Sequence, residues 1–399
     1  MKRVLIATGF YLPGYKGGGL IRAIVNLVEF MGDEFNFSIL TADRDLGDNE
    51  PYPALVPNNW QAVGKARVKY LTPDQMTLKS WARQIRQSEC DLIYLNGFFA
   101  RQTRQTLMLR RLLAIPQHPI VLAPRGEFSP GALGLKSMKK RVYIQLIARL
   151  GLYNDLTWQA TSNTEMSDLQ KNLGQLIPDM LGHTLLAADL AAPMPAISAL
   201  SKSVPKQVGS VRIIFLSRIS RKKNLDFALT LLRDIEQIVT FDIYGPKEDL
   251  KYWEECQQII RTLPSNVRVM YCGVLAPEEV NQVLFRYHLF FLPTLGENFG
   301  YAIVEAWAAG CPVLISDQTP WRQLEEKGVG WDLPLAEPER FRDALRQIIN
   351  MDQAEFSLWS ERARQFAMDL VQQQSQNELR VYQQLFQMAT KSKDWNGNV

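Results

Sequence analysis

A short apolar run followed by an amphipathic stretch recurs along the chain, stops, and starts again. Arg3 to Ala7 reads as a buried strand, and Gly19 to Met31 carries apolar residues at helical spacing (Leu20, Ile21, Ile24, Leu27, Val28). Further strands are expected at Phe35 to Thr41, Leu92 to Leu95, Ile120 to Ala123 and Thr157 to Ala160. Helices fit at Gln102 to Leu113 and Lys136 to Leu150. From Asp189 to Ser210 the texture changes to Ala, Pro and Ser, the composition of a linker. Alternation then resumes with strands at Val211 to Leu216, Thr240 to Tyr244, Val267 to Tyr271, Leu289 to Leu292 and Pro312 to Ser316. Helices at Asn224 to Leu232, Leu250 to Arg261, Pro277 to Phe285 and Tyr301 to Ala309 separate them. Strands alternating with helices indicate a parallel sheet covered on both faces.

The expected fold class is therefore α/β, with two Rossmann-like, doubly wound domains at 1–190 and 211–370 joined by a linker at 191–210. The ligand is expected in the cleft between them. A last helix, Ser375 to Met388 within 371–390, is expected to pack back on the first domain, and the tail from Lys391 to fray. At 399 residues the chain is long enough for two cores, and 46% apolar content excludes a disordered chain. No apolar run approaches the ~18 residues of a membrane-spanning helix. The start, Met1-Lys2-Arg3 before Val4 to Leu12, lacks a small-residue cleavage site and reads as a first strand, not a signal peptide. Four separated cysteines (Cys90, Cys256, Cys272, Cys311) show no C-x-x-C spacing and read as reduced thiols of a cytoplasmic protein.

A net charge of +4 hides an uneven distribution. Between Arg101 and Arg149 there are ten Lys/Arg against one acid, Glu127, a local excess of nine. Such a patch suits an anionic partner (phosphate, lipid headgroup or nucleic acid) or is a solvated helix face. The segment Lys136 to Leu150 sets Lys139, Lys140 and Arg141 among Val142, Tyr143, Ile144, Leu146, Ile147 and Leu150. A basic amphipathic helix of this kind can lie on an anionic membrane or serve as a core helix with a wet edge.

The chemistry concentrates after two strands of the second half. Pro293 ends one strand, Glu297 follows in a short loop, and a helix begins near Asn298, Phe299 and Gly300. The free N–H groups of a helix's first turn attract anions, and Gly300 would let a phosphate approach closely. Glu305 lies about two turns further on, and a carboxylate there can accept the paired hydroxyls of a ribose or hexose. Upstream, Arg218 and Lys223 follow the strand Val211 to Leu216, so that a guanidinium fork and an ammonium could together neutralise a diphosphate. A capped surface helix and a solvated basic turn remain the plain alternatives.

Glu297 and Glu305 eight residues apart, with Arg218 and Lys223 upstream in that order, closely resemble the retaining glycosyltransferases of family 4, which have the GT-B fold. The strings Gly296-Glu297-Asn298-Phe299-Gly300, Gly310 to Asp317, Thr319-Pro320-Trp321-Arg322, Pro124 to Ala132 and Ala160-Thr161-Ser162 with Glu165 resemble the bacterial branch that builds surface polysaccharides. The resemblance implies two Rossmann-like domains facing across a cleft. It also implies a nucleotide-sugar donor, UDP-sugar before GDP-sugar, with no obligatory metal. On this reading Arg218, Lys223 and Glu297 are catalytic: the cations hold the diphosphate, and Glu297 binds the sugar. Glu305 would accept from the ribose, and Asn298, Phe299 and Gly300 would donate backbone N–H groups. Gly245, Pro246, Cys272, Gly273 and Val274 would frame the base. Gly18, Gly19, Asn96, Arg125 and Glu127 would contact acceptor or sugar. The acceptor would be a glycan or lipid-diphosphate-linked saccharide, reached from the cytoplasm or the inner face of the cell membrane; nucleic acid is not an expected partner.

Two departures stand out, since relatives often carry His-Gly where this chain has Arg125-Gly126 and Asn96-Gly97. Asp43-Arg44-Asp45 has D-x-D spacing but lies in the half expected to bind acceptor, and is read as a loop. The alternatives are a GT-B sugar-nucleotide epimerase, a phosphorylase, and a catalytically silent nucleotide-sugar-binding scaffold. An NAD-dependent oxidoreductase is disfavoured because no G-x-G-x-x-G follows either first strand.

Overall fold

The computed structural model describes residues 1–53, 55–134, 137–177, 179–192 and 204–391. The chain divides into two compact units, Met1–Leu190 with Gln374–Val399, and Ala191–Gln373.

Unit 1 is built on an eight-stranded sheet ordered β3-β4-β2-β1-β5-β6-β7-β8. Its strands are β1 (Lys2–Ala7), β2 (Phe35–Ala42), β3 (Trp60–Val63), β4 (Ala66–Leu71), β5 (Leu92–Asn96), β6 (Ile120–Ala123), β7 (Thr157–Ala160) and β8 (Thr184–Leu186). All pairings are parallel except β3 with β4. The central strands are unbroken apolar runs because helices cover both faces; Val4, Leu5 and Ile6 of β1 are fully buried. The helices are α1 (Gly19–Met31), α2 (Leu78–Gln87), α3 (Arg101–Arg111), α4 (Pro130–Gly134), α5 (Ser137–Arg149) and α6 (Asn163–Leu173). On α1, Ile21, Ile24, Leu27, Val28 and Met31 form the buried stripe that the sequence periodicity predicts.

Unit 2 carries a six-stranded, wholly parallel sheet ordered β11-β10-β9-β12-β13-β14. Its strands are β9 (Ser210–Leu216), β10 (Ile238–Tyr244), β11 (Val267–Gly273), β12 (Leu289–Leu292), β13 (Val313–Ser316) and β14 (Gly330–Leu333). Helices α7 (Leu225–Leu231), α8 (Leu250–Arg261), α9 (Val280–Leu284) and α10 (Tyr301–Ala308) lie between them, and α11 (Pro338–Asn350) follows β14. Both units are thus Rossmann-like α/β domains, the first on a sheet parallel except at its β3 edge and the second on a wholly parallel one.

The last helix, α12 (Gln353–Lys391), is longer than the stretch expected at Ser375 to Met388. Its C-terminal turns belong to unit 1, where Tyr382, Leu385, Phe386 and Ala389 are buried. Phe386 meets Phe35 edge-on at 5.1 Å and Tyr94 at 5.8 Å. Burying one such aromatic ring contributes about 2–3 kcal/mol. Tyr382 also donates to the Ala188 carbonyl at 3.1 Å and accepts from Gln159 at 2.9 Å.

Several expectations need adjusting. The expected helix at 136–150 is α5, which ends at Arg149, and residue 136 lies outside the described residues. Of the expected linker, residues 193–203 also lie outside them. The end of that linker is fixed to unit 2: Lys206 is buried and donates to the carbonyls of Gln207, Ile349 and Met351 at 2.8, 2.9 and 3.0 Å. The cation caps the carbonyl end of α11, where positive charge is favoured; burial brings its pKa down to about 8. The tail expected to fray lies, from residue 392 on, outside the described residues.

Candidate functional site

In unit 2 the chain lays down β9, β10 and β11 towards one edge, then crosses back to place β12 beside β9. Loops leaving β9 and β12 therefore diverge from neighbouring strands, and such a switch point opens a crevice at the strands' carboxyl ends. Lys223 comes from the first of these loops and Glu297 from the second, and their side chains form an ion pair. The loops are stitched together by Leu295, whose N–H donates to the Lys222 carbonyl at 2.8 Å. The Thr294 hydroxyl lies 3.2 Å from the same Glu297 oxygen that meets Lys223. Burial opposes ionisation of Glu297. The Lys223 and Lys222 charges, with hydrogen bonds from Lys223 and Thr294, outweigh it and hold the carboxyl below its ordinary range.

Arg218 stands in the loop directly after β9, about one-third exposed, and donates to Glu248 at 3.0 Å. An exposed pair of this kind is weak, so the guanidinium can exchange Glu248 for a phosphate at small cost. Gly300 is in the left-handed region (φ 82°) at the start of α10, where a Cβ would come within 2.7 Å of the Ile303 side chain. Phe299 is buried against Trp321, whose indole N–H donates to the Phe299 carbonyl at 2.6 Å. Asn298 and Glu305 are half-buried, the latter one turn into α10 from Tyr301.

The residues expected to frame a base also come together. The Gly245 N–H donates to the Gly273 carbonyl at 2.8 Å, joining the ends of β10 and β11. At Gly245 (φ 135°) any Cβ would overlap the Ser217 carbonyl, which lets the loops after β9 and β10 touch. Pro246 accepts from the Ile219 N–H at 2.9 Å. Cys272 is partly buried and Val274 exposed at the end of β11. Sequence reasoning missed Lys247, whose ammonium sits 4.0 Å from the Tyr271 ring centre and 5.0 Å from that of Trp253. It also missed Glu248. Both follow Gly245-Pro246 directly, so their place at a strand end was the available signal.

Unit 1 has its own switch point between β1 and β5. Gly18 precedes α1 with positive φ and Gly19 opens that helix, both after β1; Asn96 ends β5. Asp45 accepts from the N–H groups of Tyr15 and Lys16 at 2.8 and 3.0 Å and so fastens the β1–α1 loop. Asp43 pairs with Arg44. No group of ligands suited to a metal exists among the described residues.

Arg125 is turned into the protein. It forms an ion pair with Asp189, donates to Asn96 at 3.0 and 3.1 Å and to Tyr94 at 2.7 Å, and its side chain is 9% exposed. Asp189, which sequence reasoning did not connect to Arg125, lies 64 positions away and carried no local signal. Asn96 uses its oxygen on Arg125, while its buried Nδ2 donor has no partner among the described residues. Glu127 accepts from the Phe99 N–H at 3.0 Å. Burial pushes its carboxyl up to about 7, against the pull of the Phe99 and Phe98 N–H groups and Lys140. Glu165 is buried and structural in its contacts: it accepts from Gly126 N–H at 2.5 Å and from the Thr161 N–H and hydroxyl at 2.8 and 2.7 Å.

Comparison with known proteins agrees with this architecture. The family model for Glycosyl transferases group 1 matches residues 210–351. Among solved structures, sucrose-phosphate synthase from Thermosynechococcus elongatus is 14% identical with a TM-score of 0.69, covering 97% of this chain and 99% of its own. Anabaena HepE, in complex with UDP and glucose, is 16% identical with a TM-score of 0.65 over 98% of this chain and 100% of its own. WaaG, a glycosyltransferase involved in lipopolysaccharide biosynthesis, is 14% identical with a TM-score of 0.58 over 91% and 95% of the two chains. No curated protein matches by sequence. The chain has the GT-B fold, and the stretch of unit 2 that carries Arg218, Lys223, Glu297 and Glu305 is the one similar to group 1 glycosyl transferases.

Proposed function

We propose that the protein is a retaining glycosyltransferase that moves a hexose from a nucleoside diphosphate sugar to a glycan or lipid-diphosphate-linked saccharide in bacterial surface polysaccharide synthesis. The observation that carries this reading is the buried Lys223–Glu297 pair at the β9/β12 switch point, with Arg218 in the same loop after β9 as Lys223. The UDP and glucose bound to the HepE structure support a UDP-sugar as donor, and the subject of the WaaG structure supports a cell-surface product.

On this proposal Arg218 and Lys223 bind the diphosphate and stabilise the charge that grows on it as the glycosidic bond breaks. No cation is then obligatory. Glu297, held ionised by Lys223, accepts from hydroxyls of the transferred sugar, and Glu305 from the ribose. Asn298, Phe299 and Gly300 donate backbone N–H groups to phosphate or sugar. Gly245, Pro246, Cys272, Gly273 and Val274 frame the base. Retention follows from front-face substitution, in which the acceptor hydroxyl passes its proton to the departing phosphate oxygen. In unit 1, Gly18, Gly19, Asn96 and Glu127 serve the acceptor side, with Arg125 positioning Asn96 from behind. The reaction is placed in the cytoplasm, at the inner face of the membrane.

The test is release of nucleoside diphosphate from UDP-glucose, UDP-galactose and GDP-mannose, measured with chelator present. Turnover of one donor, lowered about a hundredfold or more in Lys223→Ala, supports the reading. Turnover lost to chelator and restored by manganese contradicts the metal-free part, and Lys223→Ala at the wild-type rate removes Lys223 from the mechanism.

A further inference from the structure

The string Thr319-Pro320-Trp321-Arg322 supplies no group to the proposed donor site. It lies in the loop between β13 and β14, beside segment 293–300, which joins β12 to α10. That segment is bracketed from both sides. Its first half is tied to the loop after β9: the Asn224 amide donates to the Pro293 carbonyl at 3.0 Å, and the Leu295 N–H to the Lys222 carbonyl at 2.8 Å. Its second half is tied to the loop after β13. The Glu297 N–H donates to the Gln318 carbonyl at 2.9 Å, and the Phe299 carbonyl accepts from the Trp321 indole N–H at 2.6 Å. Main-chain groups on either side of Asn298 are therefore held by that one loop.

The indole is itself firmly placed. Its ring meets Trp307 of α10 at right angles, 5.2 Å between centres, and Phe299 at 5.3 Å and 67°. Trp307 is fully buried and donates its own N–H to the Val329 carbonyl at 2.9 Å. The backbone that carries Trp321 is stapled by the next side chain. The exposed Arg322 guanidinium donates to the carbonyls of Asp317 at 2.6 Å, Trp321 at 2.8 Å, and Thr319. Contact with Trp307 and Phe299 could be made by another aromatic ring, but only an N–H can hold the Phe299 carbonyl. In a trans peptide the C=O and N–H point in opposite directions. Holding that carbonyl against the indole turns the Gly300 N–H the other way.

We infer that Trp321 is a positioning residue for the donor diphosphate: from a loop stiffened by Arg322, it sets the peptide plane that aims the Gly300 N–H at a phosphate oxygen. The Gln318 carbonyl, on the same loop, fixes the backbone from which Glu297 reaches Lys223. Dipoles aimed in advance need no reorientation when charge arrives, whereas a loop that the ligand must order loses affinity. The inference rests on the proposed function for the identity of the ligand. It extends that reading to a loop that does not itself touch the substrate.

The experiment is titration calorimetry of the full chain with UDP, GDP and ADP, and then with the nucleoside of the one that binds. Wild type, Trp321→Phe and Arg322→Ala are compared. Trp321→Phe keeps a ring and removes the N–H. It should weaken the diphosphate about tenfold, the order expected when one carbonyl loses its donor, and leave the nucleoside within about twofold. Arg322→Ala, at an exposed position, should weaken the diphosphate about threefold through a looser loop. Both should hold their thermal midpoints within about 4 °C of wild type. A difference confined to the diphosphate separates positioning from general loss of structure, which weakens both ligands alike. Equal loss for nucleoside and diphosphate, or a Trp321→Phe variant that binds the diphosphate like wild type, would overturn the inference and leave the donor site standing. No nucleotide binding by the wild type would overturn the donor-site reading and the role of Trp321 with it.

Discussion

Replacing Lys223 by Met leaves Glu297 as a carboxylate enclosed by protein with its main counter-charge gone. The two side chains are only 11 and 13% exposed. Orphaning one member of a buried pair costs about 3–5 kcal/mol. The residual exposure, the Thr294 hydroxyl and the Lys222 charge bring this site to or just below the foot of that range, about 2–3 kcal/mol. For a unit of this size that lowers the melting midpoint by about 5–10 °C near pH 8. The pH dependence separates this cause from simple loss of packing. In the wild type the Glu297 pKa is depressed, so its stabilisation is complete above the ordinary carboxylate range and disappears only as pH falls through the lower folded value. Between pH 5 and 8 it is constant. In Lys223→Met, burial is the dominant influence and raises the pKa, so the group takes up a proton as pH falls and sheds its penalty. Scanning calorimetry at pH 5, 6, 7 and 8 should therefore show a deficit that narrows towards pH 5, and Glu297→Gln added to Lys223→Met should restore much of the loss at pH 8. A deficit constant across that range would refute the reasoning, because it would mean that lost packing, not an orphaned charge, destabilises the variant.

Two further outcomes follow from unit 1. Glu127 has its pKa raised to about 7, so its charged form weakens the fold as pH rises from the ordinary carboxylate range through 7. Glu127→Gln should gain on the wild type by an amount on the order of 2 kcal/mol at pH 8 and little at pH 5, read from thermal midpoints at both. Arg125→Met should destabilise unit 1 by about 3 kcal/mol, since it leaves Asp189 buried and unpaired; Arg125→Met with Asp189→Asn should recover part of that loss, and an Arg125→Met midpoint equal to wild type would show the pair to be inert.

Elements whose local pattern agrees with their tertiary setting were readable from the chain. The bounds of α1 at Gly19–Met31, of α8 at Leu250–Arg261 and of β12 at Leu289–Leu292 follow directly from apolar periodicity, since each buries one stripe or is buried whole. The reading was silent on β3 and β4: Trp60–Val63 is half-exposed and pairs antiparallel at the sheet edge, so it has no apolar run to betray it. It was also silent on α11, although Phe341, Ala344, Leu345, Ile348 and Ile349 form an ordinary buried stripe there. Site residues on both strand-end loops of unit 2 could be named because loop position and residue type carry that signal. Their pairing could not, because Lys223 and Glu297 are 74 positions apart and meet only through the β9–β12 crossover. Arg125 shows the limit most clearly. Its match to a position where relatives often carry His-Gly suggested a ligand contact, while its ion pair with Asp189, 64 positions away, left no local mark in the sequence.

The central claim is that the crevice beside β9 and β12 holds the diphosphate of a nucleotide sugar. Thermal midpoints of the wild type and of Arg218→Ala, measured with UDP, GDP and ADP, test it most directly. A ligand of the folded state at about 100 times its dissociation constant adds about 2.7 kcal/mol. The account predicts that one nucleotide raises the wild-type midpoint by several degrees and that this rise largely disappears in Arg218→Ala. No rise with any of the three, or an equal rise in both proteins, would contradict it.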